Sequence, residues 1–179
     1  EGVVFTHGYS VAATCAPALR SLLTGFFPIQ FEWMRDNMPG ELKPRRQALE
    51  GMPEKANKKW SYAIKSFPTV PRLLGERGYA SFQAGKYWEG PYHTAGFTHG
   101  MSKEFTKETL EEYDFITALA GADALDFGRE AIDPLWEFVD ETGDKPFFVW
   151  FAPMLPHLPM DPPETYRKYY QGNSFSDSA

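Results

Sequence analysis

The chain has 179 residues, 42% of them hydrophobic and 16% aromatic, with one cysteine and a formal net charge of −6. A chain of this length buries roughly 70% of its unfolded surface, and 15 Phe, 9 Tyr and 5 Trp supply the apolar area for a core, which excludes a disordered polymer. The lone cysteine excludes a disulfide-stapled domain, and the acidic balance argues against a generic nucleic-acid binder.

In chain order, Val3 to Phe5 is a short β-branched and aromatic run that reads as the end of a strand. Pro17 is suited to a first helical position, and Leu19, Leu22 and Leu23 then form an apolar stripe that Gly25 and Pro28 close. Residues 30 to 68 are polar and poorly periodic, and predict a long excursion with little regular structure. Thr69 to Gly78 predicts a helix with Thr69 as cap, Leu73 and Leu74 inward and Gly78 as the stop. Tyr79 to Ala84 predicts a strand ending at Gly85-Lys86, followed by a loop over 88–106. Ala122 to Thr142 is helical by pattern, through Leu125, Ile132, Leu135, Trp136 and Val139, with Pro134 opening a fresh helix behind Asp133. Phe147 to Ala152 is a continuous apolar run, the pattern of a strand buried on both faces. The uncharged stretch 147–160 that contains it carries Pro153, Pro156 and Pro159 and falls short of the about 20 residues of a membrane span, so none is expected.

The charge is uneven. Lys43 to Arg72 holds eight basic residues, and Glu104 to Asp144 holds thirteen acidic ones. Both read first as solvated surfaces.

Strand, helix, strand, helix, strand is the alternation of an α/β sheet, whose ligands bind beyond the carboxyl ends of the strands. Three chemically competent residues follow predicted strands: Cys15 before a helix, Lys86 behind a glycine, and His157 in the proline-rich exit of 147–152. A helix start favours an anion, a lysine adds a point charge, and a histidine exchanges a proton near neutral pH. Together they imply nucleophilic attack on an anionic ester. Each also has a plain structural reading, as a small buried thiol, a surface lysine and a packed loop histidine. His7, His93 and His99 show no metal-ligand spacing.

Cys15-Ala-Pro-Ala-Leu-Arg20, followed by Thr24-Gly25, resembles the signature of the type I sulfatases of the alkaline phosphatase superfamily. Gly85-Lys86-Tyr-Trp-Glu-Gly90 is similar to that family's second landmark, and Pro146-Phe-Phe-Val-Trp-Phe with Pro156-His157 to its next. The Glu1 to Ser10 segment is similar to the family's opening Gly-Val-x-Phe-Thr run. The resemblance implies a sulfuric ester hydrolase with a mixed, largely parallel α/β sheet flanked by helices. It implies that Cys15 is oxidised by the formylglycine-generating enzyme to formylglycine, a nucleophile and metal ligand. It further implies that Lys86 contacts the sulfate, that His157 hydrogen-bonds the substrate and assists its leaving group, that Arg20 braces the modified residue, and that Ca2+ or Mg2+ is the cofactor. The substrate would be an aryl or carbohydrate sulfate ester, and the compartment secreted or periplasmic.

Two positions depart from the family pattern. The signature arginine stands at 20 rather than 19, a rotation of about 100° on a helix that is expected to take it off the stripe of Leu22 and Leu23, and Trp88 replaces a histidine. The family's remaining metal ligands match no position here, so residues 1–179 are expected to be a partial catalytic domain, inactive alone, whose metal is held mainly by residues outside it. A phosphodiester or phosphonate monoester hydrolase of the same superfamily, and a non-catalytic sulfated-glycan binding module using the 43–72 stretch, are the alternatives. The expected geometry has 147–152 as the central strand and Cys15, Lys86 and His157 converging at one sheet edge.

Overall fold

A computed structural model describes residues 2–37, 63–103, 132–155 and 162–170. His157 lies outside the described residues, as do 43–62 of the basic stretch, 104–131 of the acidic one, and the first part of the helix expected over 122–142.

Three parallel strands form the sheet: β1 (Ala80–Gly85), β2 (His99–Gly100) and β3 (Phe147–Ala152), in the order β2-β1-β3. The β1–β3 register runs from Ala80 opposite Phe147 to Gly85 opposite Ala152. Among the described residues five α-helices accompany it: α1 (Cys15–Thr24), α2 (Pro28–Asn37), α3 (Val70–Gly75), α4 (Asp133–Thr142) and the single turn α5 (Glu164–Arg167). The expected α/β class, a parallel sheet flanked by helices, is present.

Alternation along the strands separates two cores. Phe82 and Ala84 of β1, with Val149 of β3, face α4 and pack with Phe138, Leu135 and Val139. Phe148 and Trp150 face the opposite way, against a core of Leu23 from α1, Phe31 from α2, and Ile64, Phe67, Tyr87 and Phe97. The Phe31 and Phe67 rings stack there at 4.0 Å.

Several elements differ from the sequence reading. Val3–Phe5 forms no strand among the described residues, and its side chains are exposed. Helix α1 starts at Cys15 rather than Pro17, and Gly25 ends it as expected, in the left-handed conformation (φ 75°), its N–H bonded to the Ser21 carbonyl at 2.8 Å. Pro28 opens α2 instead of only closing α1, so residues 30–37 are helical. Thr69 stands at the N-cap position of α3, yet its hydroxyl donates to the Ala95 carbonyl and leaves the helix uncapped. Leu73 and Trp136 point outward, while Pro71 and Phe138 are buried in their place. The 88–106 loop contains a 3-10 turn (Tyr92–Ala95) and strand β2.

Among the described strands the central one is β1, and β3, expected at the centre, lies at the edge with Phe147 and Phe151 about half exposed. A central strand containing Ser81 and Gln83 survives because both are fully bonded. Ser81 exchanges three hydrogen bonds with Thr98, and the Gln83 amide accepts from Ser102 N–H (2.9 Å) and hydroxyl (2.8 Å) while donating to the Gly85 carbonyl (2.7 Å).

Candidate active site

Cys15 is the first residue of α1 and is exposed. No side chain caps this helix start, and no acidic residue occupies its first turn. Ala18 N–H makes the first bond of the helix, to Thr14 O at 3.3 Å, and Pro17 contributes no N–H. The thiol therefore stands beside uncapped backbone amides, at the positive end of the helix dipole.

Lys86 leaves the carboxyl end of β1 and is held from both sides by β3. Its N–H donates to the Ala152 carbonyl at 2.6 Å, and its own carbonyl accepts from Trp150 Nε1 at 3.0 Å. Gly85 makes that approach feasible: its φ is 79°, and a Cβ there would fall on the Ala152 carbonyl oxygen.

The chain after Lys86 turns sharply. Trp88 adopts φ 66°, a left-handed conformation that costs a bulky residue about 1–3 kcal/mol, and Gly90 adopts φ 87°. Between them Glu89 points into the interior, 6% exposed. Arg20 of α1 meets it, Nε and Nη2 both lying 2.7 Å from Oε1, and the guanidinium sits 4.5 Å over the Phe31 ring. Burial pushes the Glu89 carboxyl above its ordinary range, opposed by the charges of Arg20 and, farther off, Arg35. The expectation that position 20 would rotate away from the apolar stripe of α1 is corrected here. Leu22 is exposed, whereas Arg20 shares the buried side with Leu23, because its charge has a buried partner 69 residues away.

Glu89 is the residue that sequence reasoning missed. Its signal was a lone carboxylate enclosed by Tyr87, Trp88, Gly90 and Pro91, a context that demands a counter-charge. The same loop is fastened by Thr94, whose Oγ1 lies 2.7 Å from the Tyr87 hydroxyl, 3.0 Å from Glu89 O and 2.7 Å from Pro91 O. Burial pushes the Tyr87 phenol far above its usual range, and because Thr94 Oγ1 directs its one hydrogen at the two carbonyls, the Tyr87 hydroxyl is the donor to Thr94. Replacing Thr94 by valine deletes this hub and should cost about 1–3 kcal/mol. Denaturant unfolding measures it, and pairing Thr94→Val with Tyr87→Phe should recover part of the loss.

Helix α1 and the 86–91 loop thus adjoin at the carboxyl end of β1, carrying Cys15 and Lys86 respectively. His157 lies beyond the described residues, so its place beside them is not part of this geometry. Among the described residues no group of three or more His, Cys, Asp or Glu side chains stands together to hold a metal. The described donors thus fall short of the six or more oxygens that a hard cation takes.

A parallel sheet with helices on both faces, an exposed cysteine at a helix start and a lysine at a strand's carboxyl end define an α/β protein whose candidate site residues sit where such sheets take ligands. The sulfatase family model matches residues 1–178, and the chain belongs to the sulfatase family. It is similar to the N-acetylglucosamine-6-sulfatase of Homo sapiens, 26% identical over 186 residues that cover 95% of this chain and 31% of the human protein. The enzymes of that name from Bos taurus and Capra hircus are each 25% identical with the same coverage. The chain spans about a third of the length of these relatives. No helix among the described residues is long and apolar enough to cross a membrane.

Proposed function

We propose that this chain is the nucleophile-bearing part of a sulfuric ester hydrolase, with Cys15 as the formylglycine precursor. The observation that carries the reading is the exposed Cys15 at the uncapped start of α1, within a chain of the sulfatase family. An exposed position leaves the thiol open to the formylglycine-generating enzyme. The modification would supply an aldehyde hydrate, one hydroxyl attacking sulfur and the other releasing sulfate by re-forming the aldehyde. The backbone amides at the start of α1 and the Lys86 ammonium would share the negative charge of the sulfate. His157 would donate the proton that the departing ester oxygen needs. Ca2+ or Mg2+, held mainly by residues other than those described, belongs to the same reading. The relatives' printed name points to a carbohydrate sulfate as the substrate class, and secretion or a periplasmic location fits such a substrate.

Peptide mass spectrometry of the full-length protein, co-expressed with the oxidising enzyme, tests the reading. Conversion of Cys15, with turnover of an aryl or N-acetylglucosamine sulfate that Cys15→Ala abolishes, is the expected result. A thiol that stays unconverted, together with glycan binding without turnover, would replace the enzyme by the sulfated-glycan binding module. Faster turnover of a matched phosphodiester would move the protein elsewhere in the superfamily.

A further inference from the structure

We propose that Glu89 is a positioning residue: by drawing Arg20 into a buried ion pair, it clamps the helix that begins with Cys15 to the loop that begins with Lys86. This rests on the sulfatase reading of Cys15 and Lys86, and adds the device that sets their separation.

The pair sits close to both reactive residues, five positions after Cys15 along α1 and three after Lys86. Two N–H groups of Arg20 converge on one Glu89 oxygen at 2.7 Å, a charge-assisted contact in a site that water barely reaches. Each half is itself anchored. The guanidinium lies on Phe31, whose ring stacks on Phe67 in the core. The Glu89 carbonyl accepts from Thr94, and Lys86 is bonded to Ala152 and Trp150. Left-handed turns at Trp88 and Gly90 flank Glu89, so the backbone bends on both sides of the one residue that reaches α1. A carboxylate placed only for solubility would face water. This one is directed inward, onto the helix that carries the nucleophile precursor.

The α1 amides and the Lys86 ammonium have to meet the same anion, and a displacement of about 1 Å in such an arrangement costs on the order of 100-fold in rate. In full-length, Cys15-converted protein, Arg20→Met/Glu89→Gln should therefore lower kcat on an aryl sulfate by about 100-fold, with a much smaller change in KM. The double variant removes one charge of each sign, so the net charge near Cys15 is preserved.

A second readout does not depend on sulfatase activity. In full-length protein made without the oxidising enzyme, Cys15 is alkylated with anionic bromoacetate and, separately, with neutral iodoacetamide, and its peptide is quantified by mass spectrometry. The bromoacetate-to-iodoacetamide rate ratio reports the positive potential at Cys15. It should fall several-fold in Lys86→Ala, and as far in the double variant with the thermal midpoint near that of the parent. Arg20→Leu/Glu89→Met, a second apolar pair that also preserves the net charge, should move it the same way if the first double variant folds poorly. A folded variant lacking the pair whose ratio equals the parent's overturns the clamp, as does a ratio insensitive to Lys86→Ala. A parent without sulfate turnover whose ratio still falls on loss of the pair retains the clamp and removes the sulfatase reading.

Discussion

Arg20→Met is expected to destabilise the protein by about 3–5 kcal/mol, the cost of leaving a buried carboxylate without its counter-charge. Glu89 is 6% exposed and has Arg20 as its ion-pair partner at 2.7 Å, so the methionine fills the space but strands the charge. Glu89→Gln in the same protein should restore most of the loss, since neither charge then remains to be desolvated. The pH dependence has a definite sign. The folded-state pKa of Glu89 is raised by burial, so the fold holds its proton more tightly than the unfolded chain does. Its contribution to stability is therefore fully present below the unfolded carboxyl pKa and is lost as pH rises through the raised folded value. Without Arg20 that value rises further, and Arg20→Met should gain more stability than the parent on acidification from neutrality toward the carboxyl range. Urea unfolding of the full-length parent, single and double variants across that range measures both effects. A single variant as stable as the parent, with the parent's pH profile, would remove the buried-pair argument.

Gly85→Ala should be comparably damaging, for a steric reason. The left-handed backbone at φ 79° costs any other residue about 1–3 kcal/mol, and forcing a Cβ onto the Ala152 carbonyl adds roughly 1–3 more. Relief requires β1 and β3 to part at their carboxyl ends, which breaks the Lys86 N–H bond to Ala152 and moves the lysine. On the proposed sulfatase reading, sulfate-ester turnover of the full-length protein should fall by on the order of 100-fold even at temperatures where the variant is folded. Gly78→Ala is the matched control, for it has a similar φ of 81° and open space around its Cβ position. It should lose stability from backbone strain alone and keep its turnover. Equal losses in the two variants would mean that the β1–β3 junction does not set the position of Lys86.

Much of the α/β order was legible before any coordinates. Gly25 ends α1, Pro134 stands in the first turn of α4, and Gly85-Lys86 closes a strand, because glycine conformations and proline's fixed φ act within a few residues. The three landmarks around Cys15, Lys86 and 147–152 likewise carried the family, which needs only order and spacing. The misreadings occurred where apolar content stood in for burial. The run at 147–152 was expected to be central because it is hydrophobic throughout, whereas among the described strands that place falls to Ala80–Gly85, which contains Ser81 and Gln83. On α1, the leucines at 19, 22 and 23 suggested a stripe without a place for Arg20.

The sequence by itself determined strands β1 and β3, the glycine end of α1 and the proline in the first turn of α4, since those preferences are set by local sterics and periodicity. Only the tertiary structure decided which polar groups are inside. Ser81 and Gln83 are buried because Thr98 and Ser102, 17 and 19 residues on, complete their hydrogen bonds, and Arg20 is drawn partly into the interior because Glu89 answers it from 69 residues away. The cost of desolvating a polar or charged side chain is offset only by its partner, and that partner is brought within reach by the folding of the whole chain, not by the residues beside it.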